Sequence, residues 1–173
     1  MTTAEHPYSA FIHKPRHGKI TVGPAWDWNL SFGNADYYDG YETSGWYYEN
    51  LRDTEIAWID RLRQDPEFMQ RAIDRWGELR AGVLSTSRVL SRVDELAAQL
   101  KEAQARNFRR WPIMGRRVHP NDFVGDTYEE EIKWMKQWIQ RRLSWMDSQF
   151  VAAPTIHESN GALTLKGGSG KIY

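Results

Sequence analysis

Apolar residues change their spacing near residue 51 of this chain. Before that point they come in short runs. Residues 8–13 (YSAFIH) and 19–26 (KITVGPAW) are β-prone and flank the turn-rich KPRHG, a pattern that predicts a hairpin. Pro24 removes a ladder donor, so the second strand is expected to end there or lie at an edge. Residues 31–50, SFGNADYYDGYETSGWYYEN, keep neither a helical nor a strand period and are expected to be a loop. Loops of that length inside a compact domain are often functional.

From residue 51 the period becomes helical. Ile56, Ile59 and Leu62 mark one face, with Thr54 placed to cap. Asp65-Pro66-Glu67 opens the next helix, with Asp as N-cap and Pro at its first position. Phe68, Met69, Ala72, Ile73, Trp76 and Leu79 follow at helical spacing, and Gly82 stops the run. Ser85 or Ser87 opens a third helix, whose apolar positions Val89, Val93, Leu96, Leu100, Ala103 and Phe108 predict one unbroken element up to Trp111 and Pro112. Residues 113–125 are expected to be loop. Asp126-Thr127 then caps the last helix, with Glu129, Glu130 and Glu131 in its first turn, where the helix dipole favours negative charge. Tyr128, Ile132, Met135, Ile139, Leu143 and Met146 form its stripe. Trp138 and Trp145 fall on a flank, and Arg141 and Arg142 read as cations suited to the C-terminal end. Residues 151–173 alternate briefly at 162–165 and read as a linker entering a small β-module that stops without a closing turn. The expected fold is mostly α with a small N-terminal β-hairpin, an α+β chain divided into residues 1–150 and 151–173.

Charge narrows the partners. Lys+Arg and Asp+Glu both number 23, so nothing electrostatic favours a nucleic acid or an anionic membrane. With no cysteine there is no disulfide, zinc-thiolate site or thiol nucleophile. No apolar run approaches the length of a membrane span, and MTTAEHPYSAF lacks the basic and apolar regions of a signal peptide. The 13% of aromatic residues, nine of them Trp, predict a core built on large rings or a surface that stacks on sugars. Trp134, Trp138 and Trp145 fit helix packing better than a sugar platform.

The stretch GPAWDWNLSFGN, residues 23–34, carries the candidate chemistry. Asp27 stands between two tryptophans after a predicted strand. A carboxylate there suits Mg²⁺, which takes one or two protein oxygens and completes its shell with water and phosphate. Its bland alternative is to accept hydrogen bonds from an indole or from turn amides. If the backbone stays extended, Asn29 projects to the same face as Asp27. Asn34 and Asp36 add oxygens on the turn that follows. None of the five histidines pairs with another at i,i+4 on a helix, and no phosphate-binding glycine motif or nucleophile elbow occurs. Arg109-Arg110 and Arg116-Arg117 form a collar that is either a phosphate contact or simply solvated.

Several motifs in order resemble the CotH kinase family, the spore coat protein H-like atypical kinases. They are SAFIHKPR at 9–16, GKI at 18–20, GPAWDWNLSFGNAD at 23–36 and SGW at 44–46. Further on come Asp65-Pro66, Arg75-Trp76, Leu79-Arg80, RNF at 106–108, RWPI at 110–113, and a last helix with Tyr128, Glu131, Ile132, Trp138 and Arg142. The resemblance covers residues 8 to about 150. It implies the C-lobe-like part of an atypical protein kinase fold and transfer of phosphate from ATP to protein Ser/Thr. It implies Mg²⁺ and ATP as cofactors, Asp27 as the metal ligand, and Asn29 and Asn34 as metal or phosphate contacts. The family's second acidic residue, its expected base, falls on Ala4, beside Glu5 and His6. No nucleotide-covering lobe precedes the matched hairpin, so the chain is expected to be a C-terminal portion, inactive alone and completed by its own N-terminal lobe. The whole protein is expected to be secreted, at the cell surface or in a spore coat. The alternative is a non-catalytic module that recognises a glycan or a partner protein through the aromatic loop at 37–48.

Overall fold

The structure, a computed structural model, describes residues 10–50, 53–150 and 155–166. Residues 8–9, Ala4, Glu5 and His6, the linker at 151–154 and the chain end at 167–173 lie outside the described residues.

Ala10–His13 (β1) and Thr21–Ala25 (β2) pair antiparallel, with Ile12 opposite Val22 and His13 opposite Thr21. The pairing slips between Ala10 and Ile12, opposite the stretch containing Gly23 and Pro24. A bulge lets β2 run one residue beyond the proline instead of ending at it. Both strands are edges of a two-stranded sheet. The loop that follows is irregular as expected, closing in a 3-10 turn at Tyr47–Asn50.

Helices account for most of the rest. Asp53–Arg63 (α1) begins before Thr54, so that residue lies in the first turn rather than at the cap. Pro66–Ala81 (α2) starts as expected: Asp65 Oδ1 accepts from the N–H of Glu67 (2.9 Å) and Phe68 (3.3 Å). Gly82 ends it, its N–H returning to Leu79 O. The long third helix is two, Thr86–Gln99 (α3) and Lys101–Arg110 (α4). Leu100 divides them at φ −88°, ψ −2°, its N–H shared between the carbonyls of Leu96 and Ala97, 3.2 Å from each. Ser85 occupies the N-cap of α3 without a side-chain hydrogen bond.

Tyr128–Gln149 (α5) spans 22 residues and is the spine of the fold. Thr127 caps it, accepting from Glu130 N–H at 3.2 Å. Glu130 and Glu131 reach back to the N–H groups of Asp126 (2.8 Å) and Gly125 (2.7 Å), so two first-turn carboxylates tie down the preceding loop. The core lies where Trp138, Ile139 and Leu143 of α5 meet Trp76 of α2 and Val89, Leu90 and Val93 of α3. Trp138 is therefore central rather than on a flank. Arg142 is buried too, not a solvated dipole cation.

Thr155–Ser159 (β3) and Ala162–Lys166 (β4) form a second hairpin. Asn160 (φ +52°) and Gly161 (φ +74°) make its turn, both left-handed, as a two-residue connection of twisted strands requires. Among the described residues, no helix is long and apolar enough to cross a membrane.

Candidate functional site

The turn after β2 does not continue the strand. Asp27 adopts φ +58°, a left-handed conformation that Asp tolerates better than most residues. The extended backbone that would set Asp27 and Asn29 on one face is therefore absent, and their shared-face expectation fails. The carboxylate of Asp27 is exposed, and among the described residues it has no hydrogen-bond or ion-pair partner. The alternative of an acid saturated by indole and amide donors does not hold.

Residues 28–34 fold into successive turns, with Ser31 N–H on Trp28 O (3.1 Å) and Asn34 N–H on Ser31 O (3.3 Å). Asn34 donates its side-chain amide to Asn29 O at 3.0 Å, which fastens the two candidate residues together. Phe32 (φ +58°) and Gly33 (φ +81°) turn the chain onto α5, where Gly33 lies under the Trp138 indole. Ala35 bridges to Asn121, Asp36 N–H reaches Pro120 O (2.8 Å), and Asp122 N–H reaches Asn34 O (3.1 Å). The motif is thus clamped between α5 and the loop before it. Asp36 is not a spare oxygen ligand: its carboxylate is paired with Arg117, with His119 Nδ1 at 3.7 Å.

Beside this turn opens a cleft of about 440 Å³. Trp28, Asn29, Ser31 and Asn34 line one wall. The stacked rings of Phe123 and Trp134, 4.9 Å apart, stand in the cleft lining with Arg116 and Glu131. The structure brings Asn29 and Asn34 into this cleft and leaves Asp27 on the turn just before it. Trp28 Nε1 and Ser31 Oγ are buried at its wall without partners. Tyr128, also in the lining, has its phenol pushed up by burial and then by the neighbouring Glu129 carboxylate. A second cavity of about 480 Å³ between α3 and α5, around the Lys136–Asp94 pair, contains none of the candidate residues.

A family model described as CotH kinase protein matches residues 5–146. The chain belongs to the CotH kinase family. No curated protein and no solved structure matches it. Membership supports kinase-like function and, in general terms, the use of ATP and a metal. Among the described residues of this CotH-family chain, no group of three or more His, Cys, Asp or Glu could cage a cation. The donors present fit Mg²⁺ nonetheless. One free carboxylate suits an ion that draws the rest of its shell from phosphate and water.

The aromatic loop is less open than its composition implies. Trp46 packs on Trp145 (4.9 Å) and stacks with Tyr48 (6.0 Å), and Arg63 covers Tyr48 at 3.8 Å. Helix α5 holds the backbone of this loop: Trp138 Nε1 donates to Tyr41 O (2.7 Å) and Arg142 Nη1 to Thr43 O and Gly45 O (3.0 and 2.8 Å). Charge on the nearby Asp39 pushes the Tyr41 phenol up. The burial of Arg142 is what sequence reasoning missed. Its signal was its position, three residues beyond Ile139 and four before Met146, squarely on the apolar stripe.

Proposed function

We propose that residues 1–150 form the C-lobe-like part of an atypical protein kinase that moves phosphate from ATP to protein Ser/Thr. The observation that carries this reading is Asp27, an unpartnered carboxylate on a left-handed turn beside a cleft containing Asn29 and Asn34. When bound, Mg²⁺ offsets the charge that develops on the transferred phosphoryl group. Asp27 holds the ion. Asn34, with its amide N–H spent on Asn29 O, keeps its Oδ1 as the acceptor, and Asn29 lines the cleft. Arg116, exposed at the cleft, offers a cation to phosphate oxygens.

Phosphoryl transfer depends on positioning the metal, phosphates and acceptor together. The family's base position falls on Ala4, and the nucleotide-covering lobe has no counterpart among the described residues. We therefore propose that this chain has no turnover by itself, that its own N-terminal lobe completes the site, and that the whole protein works at the cell surface or in a spore coat. A heat-stability assay tests the nucleotide reading: melting should rise with Mg²⁺ and ATP together and not with either alone. No rise with the pair would overturn it. Autophosphorylation from labelled ATP that disappears in Asp27→Ala would overturn the claim of inactivity.

A second reading keeps one observation. Tyr38 and Tyr41 are 49% and 37% exposed on the aromatic loop, enough for a small stacking surface on a glycan or partner protein. Titration with polysaccharides, following intrinsic fluorescence, tests it; no response to any of them removes it.

A further inference from the structure

Arg142 is the one buried charged side chain among the described residues, 5% exposed and set in the apolar stripe of α5. Its Nη1 is used by Thr43 O and Gly45 O. The Trp145 ring lies 4.4 Å from the guanidinium carbon and the Trp46 ring 5.6 Å. Its Nε and Nη2 are buried without any hydrogen-bond partner. No carboxylate among the described residues pairs with it, and burial pushes its pKa down to about 10.

Nε and Nη2 share one edge of the guanidinium. Their N–H groups run parallel, the fork that takes two oxygens of a carboxylate or a phosphate group. A buried water could accept hydrogen bonds there but would leave the charge uncompensated, and the two indole faces offset only part of it. The neighbouring segment 43–46, whose carbonyls take Nη1, has Ser44 and Gly45 exposed, and Gly45 (φ +79°) has open space around it. Two carbonyls on Arg142 Nη1 and the packing of Trp46 on Trp145 hold that segment in place.

We propose that the Nε–Nη2 edge of Arg142 is an oxyanion site, next to residues 43–46 and flanked by Trp46 and Trp145. It takes two oxygens of a carboxylate or phosphate group. It is separate from the cleft beside Asp27, and neither reading depends on the other.

The test titrates the 173-residue chain with inorganic phosphate and, separately, with acetate, at an ionic strength held by chloride, which cannot offer two oxygens. Melting temperature and tryptophan emission are read together. Wild type should respond saturably, with melting raised by about 3–6 °C at ten times Kd. A response to acetate alone assigns the site to a carboxylate; a response to phosphate alone assigns it to a phosphate group. Arg142→Lys, which keeps the charge without the fork, should respond to neither, and Arg142→Met likewise. The proposal is overturned if wild type shows no saturable response, or if Arg142→Lys responds as wild type does.

Discussion

Gly33 lies directly beneath the indole of Trp138: a Cβ at position 33 would stand 2.3 Å from Trp138 Cδ1 and 2.4 Å from Nε1. Backbone conformation adds to the exclusion, since Gly33 has φ +81°. Gly33→Ala must displace Trp138, which is 4% exposed and anchors the aromatic loop through Tyr41 O. Overpacking and a left-handed alanine together should cost about 2–4 kcal/mol. Urea unfolding followed by tryptophan emission measures it. A loss below about 0.5 kcal/mol, the range of neutral surface changes, would contradict the packing described.

Asp147 fastens α2 to α5. It accepts from Trp76 Nε1 at 2.9 Å and from Arg80 Nε and Nη2 at 2.9 and 2.8 Å. Arg80 is mostly covered while Asp147 is 41% exposed, so solvent screens part of the pair. Asp147→Ala should lower stability by about 1–2 kcal/mol and shift the emission of Trp76. An unchanged denaturation midpoint would show that the network contributes nothing.

The Arg142 guanidinium gives a pH signature. Burial lowers its folded pKa from the ordinary arginine value to about 10. Below pH 10 both folded and unfolded chains hold the proton, so it adds no slope there. Above that value the folded chain releases the proton while the unfolded chain keeps it, and stability rises with pH until the ordinary value is passed. In oxyanion-free buffer, wild type should gain about 1 kcal/mol on Arg142→Met between pH 9 and 11, with the gap flat from pH 6 to 9. The raised Tyr41 and Tyr128 phenols act in the opposite sense, but equally in both proteins, so they cancel in the difference. A gap that stays constant to pH 11 would contradict the burial of an uncompensated charge.

What was legible in the sequence was local. Asp65 and Pro66 announce the start of α2 because an N-cap depends only on the next three residues. The helical period from residue 51 and the β1–β2 hairpin were readable for the same reason. Trp138 and Arg142 were misjudged because their burial depends on distant contacts: Trp138 packs on α2 and α3, and both residues hold the loop at 37–48, about a hundred residues away in the chain. Leu100 sits mid-pattern with no Gly or Pro to mark it, so the break between α3 and α4 left no trace. Asn160-Gly161, by contrast, was a hairpin signal in plain view that went unused.

Asp65→Ala tests the strongest of those local readings. Removing the oxygen that caps the N–H groups of Glu67 and Phe68 should cost about 1 kcal/mol, measured as a shifted urea midpoint at unchanged slope. Asp65→Asn, which retains an acceptor, should recover most of it. Equal loss in both variants would place the contribution elsewhere than in the cap.

The central claim is that Asp27 holds a divalent cation against nucleotide phosphate. Titrating the chain with Mn²⁺ and ATP, read by water-proton relaxation, tests it most directly. Wild type should form a saturable ternary complex, and Asp27→Asn should weaken that complex by about tenfold or more while leaving the melting temperature in metal-free buffer unchanged. Equal affinity in the two proteins, or no ternary complex in wild type, would contradict the account.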